Sequence, residues 1–284
     1  MAFLTIDGLR LHYQTAGHGP SVLLIHGWAS SWRMWARSMS RLAQAGYRAW
    51  AVDLIGFGAS DKPGSDWYSL ERFTQTLIDF CDRLGVDRAA LAGHSLGGTI
   101  ALDVATRRDA RSLVAVAPIV NGELGLPLRQ LWTSPLARRL FGGMHKRAFF
   151  SVAGDMRLPA LPGLYRDLAR KRMHQDLRAT TVNAAVGSLR AVVTSNLQNR
   201  LPMIHAPTLV IVGGRDTMVP PSQGRLAARS ISGARLVVWP DVGHQVVDER
   251  GDDFDALLID HLDRACGRRA GRTVGAGHSL QPEA

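Results

Sequence analysis

Hydrophobic and polar positions change their rhythm along this chain. Residues 1 to 13 alternate, and Thr5-Ile6-Asp7-Gly8-Leu9-Arg10-Leu11 sets an Asp-Gly pair between two alternating runs, which predicts an antiparallel hairpin. Beyond it the apolar runs become short and continuous: Val22 to Ile25, Tyr47 to Val52, Ala89 to Ala92, Leu113 to Ala117, Thr208 to Val212 and Leu236 to Trp239. Runs of this kind suit strands buried on both faces. Between them lie helix-length segments, among them Trp32 to Ala45, Leu70 to Leu84, Gly97 to Thr106 and Pro220 to Ser230. Alternating strands and helices imply a parallel sheet covered by helices on both sides. Phe254, Leu257, Leu258, His261, Leu262 and Ala265 fall at helical spacing and predict a last helix packed on that sheet.

One stretch breaks the alternation. Between residues 121 and 205, Pro127, Pro135, Pro159 and Pro162 punctuate short amphipathic pieces such as Leu164 to Met173, with no buried strand among them. The expected organisation is a core in two parts, residues 1–120 and 206–266, with an inserted helical cap at 121–205. Residues 267–284, rich in Gly and Arg, read as a disordered tail.

Composition narrows the class. With 284 residues, 46% hydrophobic and 20% charged, the chain can bury a full core and is not intrinsically disordered. No apolar run approaches the ~18 residues of a membrane helix, so membrane insertion is not expected. The first residues lack the basic head and apolar stretch of a secretory signal. Cys81 and Cys266 are too few for a disulfide framework and lack metal-ligand spacing, so a cytoplasmic protein is expected.

The net charge of +10 is uneven. Residues 121–205 hold eleven Arg and two Lys against Glu123, Asp155, Asp167 and Asp176, a surplus of nine. A solvated basic surface explains this, and the bias toward arginine over lysine runs through the whole chain. A functional alternative is attraction of an acidic carrier protein or coenzyme A by Arg138, Arg139, Lys146, Arg147, Arg170, Lys171 and Arg172. No motif supports nucleic acid as a partner.

The chemistry is concentrated where strands end. Gly93-His94-Ser95-Leu96-Gly97 follows one apolar run and opens a helix, the context in which a G-x-S-x-G pattern forms a nucleophile elbow. Ser95 then needs a base, and the base a group to orient it. His244 follows the run ending at Trp239, and Asp216 lies in Gly213-Gly214-Arg215-Asp216 after the run ending at Val212. Both reach the rim where the carboxyl ends of parallel strands gather. Glu123 is the alternative acid. His26-Gly27-Trp28, after the run Val22 to Ile25, places the backbone N–H of Trp28 as one donor to an oxyanion, with the N–H of Leu96 as the second. Asp53 to Ser60 forms a tight glycine-rich turn without the G-x-G-x-x-G phosphate fingerprint, and no cofactor is implied. His26 and His94 adjoin turns and are expected to hold loops rather than transfer protons. Asp248 is read as a charge at a helix N-terminus. Trp132, Phe141, Phe149, Phe150 and Tyr165 either line an acyl pocket or pack the insertion onto the core.

Across residues 3 to 266 the sequence resembles the α/β-hydrolase superfamily, in particular its cap-bearing serine hydrolases and esterases. The likeness lies in His26-Gly27-Trp28, Asp53 to Pro63, Gly93 to Gly98, Pro207 to Val219 and Gly243-His244. It implies an α/β-hydrolase fold, Ser95 as nucleophile, Asp216 as acid, His244 as base, Trp28 and Leu96 as oxyanion donors, and residues 121–205 as a lid. Serine where related dehalogenases and epoxide hydrolases carry aspartate argues against both of those chemistries. Carbon–carbon bond hydrolases of ring-cleavage products usually have Asn before the serine and Trp shortly after the histidine; His94 and Gln245-Val246-Val247 fit them poorly. The expected function is hydrolysis of an ester or thioester of a small, largely apolar acyl group. Carbon–carbon cleavage on the same triad and a non-catalytic ligand receptor of the same fold remain the alternatives.

Overall fold

The computed structural model describes residues 2–125 and 163–268, with the backbone alone for 163–166. Eight strands form one sheet in the order β1-β2-β4-β3-β5-β6-β7-β8. The hairpin of β1 (Ala2–Ile6) and β2 (Leu9–Ala16) turns at Asp7 and Gly8, both at positive φ, 48° and 78°. Those values are the ones a two-residue hairpin turn requires, which is why Asp-Gly was informative. β2 runs antiparallel to β4 (Arg48–Val52); from β4 onward all pairings are parallel, through β3 (Ser21–Ile25), β5 (Ala90–His94), β6 (Leu113–Val116), β7 (Thr208–Gly213) and β8 (Arg235–Trp239).

Successive side chains of a strand point to opposite faces, and both faces here are covered. Leu23 and Ile25 of β3, Leu91 of β5 and Val210 and Val212 of β7 enter one core with α2 (Leu70–Arg83), α3 (Leu96–Ala105) and α6 (Pro221–Ser230). Val22 and Leu24, Ala90 and Ala92, and Leu209 and Ile211 enter the other, against α1 (Ala36–Gln44) and α8 (Gly251–Ala265). Double-sided burial accounts for the unbroken apolar runs. The predicted final helix is α8, with Phe254, Leu258 and Leu262 buried.

The chain leaves the core after β6 and returns at β7. Of the intervening segment, two helices are described, α4 (Gly163–Ala179) and α5 (Val182–Val193), and neither is followed by a strand before β7. Thr181 caps α5 by accepting the Ala184 N–H. A one-turn helix, α7 (Val246–Glu249), lies between β8 and α8. Residues 126–162 and 269–284 lie outside the description, and with them Pro127, Pro135, Pro159 and Pro162 of the insertion and nearly all of the proposed tail. Gly267 and Arg268 are described: the Arg268 guanidinium reaches the Ala45 carbonyl and stacks on Tyr47.

Strand order fixes where a site can form. β3 has β4 on one side and β5 on the other, so the winding direction reverses there and opens a crevice at the carboxyl ends of β3 and β5.

Candidate active site

Ser95 stands between β5 and α3 with φ 54° and ψ −117°, a conformation that L-residues avoid. Its neighbours hold it there. The Ser95 N–H donates to the Val116 carbonyl at 2.8 Å, and its own carbonyl accepts the Thr99 N–H at 3.0 Å. A side chain at Gly93 would run into the Gly97 carbonyl, and one at Gly97 into the carbonyls of Ile25 and His26. Both glycines are therefore demanded by close backbone approach. Leu96 opens α3, so its N–H has no acceptor within the helix.

The loop after β3 crosses directly beside the serine. A Cβ at Gly27 would lie 3.3 Å from the Ser95 Cβ and 2.8 Å from His94 Nδ1. Trp28 follows, and its indole N–H donates to the Ala185 carbonyl of α5 at 2.8 Å, tying this loop to the inserted segment. His26 is fully buried and bridges two loops. Its Nδ1–H donates to the Gly27 carbonyl at 2.7 Å, and its Nε2 accepts the Leu54 N–H at 2.9 Å. Burial pushes its pKa down. With both nitrogens used on backbone, His26 holds loops, as the sequence reading expected.

Asp216 and His244, 28 positions apart, meet at the carboxyl ends of β7 and β8. Asp216 Oδ2 accepts His244 Nδ1–H at 2.7 Å. Its other oxygen takes two backbone amides, from Met218 at 2.8 Å and Val219 at 2.9 Å. The carboxylate thus accepts three hydrogen bonds, and its side chain is only 1% exposed. Because a carboxylate only accepts, Nδ1 must carry the proton and Nε2 of the neutral ring is left bare to take another. His94 lies next to this ring, centroids 4.9 Å apart, and its Nε2–H donates to the His244 carbonyl at 2.9 Å. Burial, reinforced by the charge of His244, pushes the His94 pKa down to about 4, so it stays neutral at ordinary pH and steadies the neighbouring backbone. Glu123, the alternative acid, is turned elsewhere and accepts from the Gln223 amide at 3.0 Å.

Ser95, Leu96, Trp28 and His244 line one cavity of about 1080 Å³, counting space open to solvent. Its described apolar wall comes from Met34, Leu124, Met173, Leu177, Leu189 and Met218. The aromatic residues suggested for this wall cannot be assigned: Trp132, Phe141, Phe149 and Phe150 lie outside the described residues, as does the side chain of Tyr165. Arg170, Arg172 and His174 of α4 supply a polar flank.

Asp248 lies in the first turn of α7, as expected, and its carboxylate also grips Arg172 with two bonds, 2.9 Å and 2.7 Å, and so joins the insertion to the segment bearing His244. Arg172, one of the basic residues named for attraction of an acidic partner, is thus paired with Asp248 in this structure. Arg138, Arg139, Lys146 and Arg147 lie outside the described residues. Sequence reasoning also missed Asp176, which is buried in α4, accepts the Ser31 hydroxyl at 2.6 Å and has Arg33 at 3.6 Å. A buried acid on a helix of the insertion has no local motif to betray it. Both cysteines are free thiols, Cys81 buried. Among the described residues no group of three or more His, Cys, Asp or Glu is placed to hold a metal, and no helix is long and apolar enough to cross a membrane.

A serine on a strained strand-to-helix turn, an imidazole oriented by a carboxylate, and a mostly parallel sheet wound in both directions define a class of hydrolytic folds. The chain belongs to the alpha/beta hydrolase family, whose model matches residues 22–257. It is 29% identical to the 2-hydroxy-6-oxo-6-phenylhexa-2,4-dienoate hydrolase of Comamonas testosteroni, over 90% of this chain and 92% of that one. Its fold superposes on the enol-lactonase of Burkholderia xenovorans LB400 with a TM-score of 0.79 and 25% identity, covering 92% of this chain and 99% of the other. An esterase from Exiguobacterium antarcticum shares the fold at a TM-score of 0.80 with 20% identity, covering 92% and 98%.

Proposed function

We propose that this hydrolase cleaves an ester or thioester of a small, largely apolar acyl group through an acyl-enzyme on Ser95. The observation that carries the reading is the His244–Asp216 bond of 2.7 Å beside a serine held at φ 54° in the same apolar cavity. His244 takes the Ser95 proton as the hydroxyl attacks the carbonyl, and Asp216 fixes the tautomer and stabilises the imidazolium that forms. The backbone N–H groups of Trp28 and Leu96 serve as donors to the oxyanion. The imidazolium returns its proton to the leaving group, and water, deprotonated by the same ring, releases the acid. Residues 121–205 act as a cap that closes the apolar side of the cavity and sets acyl length.

The lactone named for the Burkholderia relative is a cyclic ester, which supports ester cleavage. The Comamonas relative favours carbon–carbon cleavage as a second reading, since the likeness spans nearly both chains. Against that reading, His94 precedes the serine and Gln245-Val246-Val247 follows the histidine, where those enzymes usually carry Asn and Trp.

Labelling with a fluorophosphonate probe tests the proposal, alongside a chain-length series of chromogenic acyl esters and a ring-cleavage dienoate. Expected are labelling and ester turnover that vanish together in Ser95→Ala. Turnover of the dienoate with no ester cleavage would transfer the assignment to the second reading. A folded parent with neither label nor turnover would overturn the enzymatic reading in favour of a ligand receptor.

A further inference from the structure

His244 sits in a segment that ought to be poorly fixed. It follows β8 in a loop and precedes α7, which spans four residues, too few to stabilise itself through its own ladder. Gln245, at the N-cap of that helix, makes no side-chain capping bond. A base must nevertheless be held within a few tenths of an ångström to serve a nucleophile.

The missing restraint comes from the last residue of the turn. Glu249 folds back over it, and its two carboxylate oxygens divide between two backbone amides: Oε2 accepts the Gly243 N–H at 3.0 Å and Oε1 the Gln245 N–H at 3.2 Å. These amides bracket His244. One side chain thus ties down the residue before the imidazole and the residue after it. The His244 carbonyl, between the two, accepts His94 Nε2–H at 2.9 Å. Glu249 is 9% exposed, and among the described residues its carboxylate meets backbone amides rather than a basic side chain. Desolvating a carboxylate to satisfy two loop amides is a poor route to stability, because an apolar core would cost less. Asp248, next to it, shows the contrast: it points away and pairs with Arg172.

We propose that Glu249 is a positioning residue for His244, a backbone clamp that holds the imidazole toward Ser95. The proposal rests on the reading of His244 as the base. The logic resembles a capping box, in which an acid in the first turn reaches back to the N-cap amide, except that this acid also takes the amide two residues earlier. Glu249→Gln keeps the size and one carbonyl acceptor but turns an amide NH₂ toward the second N–H. Glu249→Asp keeps the charge and shortens the reach by one methylene.

The test compares kcat, KM and the rate of fluorophosphonate labelling in the parent, Glu249→Gln and Glu249→Asp, with active sites counted by the label. The expected result is a fall in kcat of about 10- to 100-fold, the scale for a misplaced catalytic group, with KM within about twofold. Labelling should slow in proportion. Unchanged kcat per labelled site in a folded variant would overturn the proposal, as would a loss of active protein with the surviving sites fully competent. Should neither variant fold, nuclear magnetic resonance on the parent decides. The Gly243 and Gln245 amide signals must move together as a single carboxyl titrates, and independent or absent movement defeats the clamp. A parent that takes no label removes the base reading and the proposal with it, whereas a labelled parent with unaffected Glu249 variants removes the proposal alone.

Discussion

The carboxyl edge of the sheet and the seam under the inserted helices are held together in opposite ways. At the sheet edge, Ser95, Asp216 and His244 are fixed largely through backbone groups: Val116 and Thr99 hold the serine, Met218 and Val219 the aspartate, and Glu249 and His94 the histidine loop. At the seam the contacts run between side chains, Arg172 with Asp248 and Asp176 with Ser31 and Arg33. Two buried seam atoms, Asp176 Oδ2 and Arg172 Nε, have no hydrogen-bond partner among the described residues. Backbone restraints leave few degrees of freedom, whereas long side chains keep several rotamers and an incompletely satisfied network gains less from one arrangement. The proposed chemistry thus falls in the region held through backbone groups, and part of the cavity wall in the region held through side chains.

Substitutions can separate the two, beginning with the largest effect. Asp216→Asn should lower kcat by about 10⁴-fold, the scale seen when a triad acid becomes an amide. The asparagine oxygen can still receive the Met218 and Val219 amides, which directs its NH₂ at His244 and forces the unproductive tautomer. Steady-state kinetics with a thermal melt check this; a loss below about tenfold in a well-folded variant would detach Asp216 from the chemistry.

A break at the seam should read differently. Arg172→Met strands the Asp248 carboxylate, whose side chain is only 12% exposed, and should raise KM about tenfold with kcat within about twofold. Asp248→Leu added to it should restore part of the loss, since the stranded charge is then gone. If the single change instead cut kcat and left KM alone, the seam would belong to the chemical machinery and the comparison would fail.

The smallest effect concerns Asp176. Burial, opposed by the Ser31 bond and by Arg172 and Arg33, lifts its pKa from the ordinary 3.8 to about 6. A carboxyl with a raised folded pKa holds its proton more tightly folded than unfolded. Its share of stability is therefore present below about pH 4 and is lost as pH rises through the window to about 6. Asp176→Asn should flatten that window and raise stability at pH 8 by at most about 3 kcal/mol. Thermal melts across pH measure it. A parent whose stability climbs from pH 4 to 6 no less steeply than the variant's would contradict the assignment.

Most of the sheet could be read in advance because burial on both faces leaves an unbroken apolar run, a local signature at β3 to β7; β8, at the edge, is only partly buried. Ser95, Asp216 and His244 stand out as candidates for a related reason: each lies in the loop that follows such a run, and parallel strands carry their carboxyl ends to one rim. Glu249 and the Arg172–Asp248 pair do not. A single helical turn is too short to show a 3.6-residue period, and an ion pair between residues 76 positions apart leaves no mark on either neighbourhood. α5 was hidden because Ala184, Ala185, Gly187, Ser188 and Leu189 are all buried, small residues mixed with large and polar with apolar, so no clean stripe appears.

The order of the strands also bears on how the protein comes into being. Synthesis proceeds from the N-terminus, and the first six strands, with the serine elbow among them, are complete before the insertion and the last two strands are made. β7 then adds to the exposed side of β6, and β8 to β7. Asp216 and His244 follow those last two strands. On the proposed mechanism, a nascent chain therefore carries its serine without its base and acid until the outermost strand is in place.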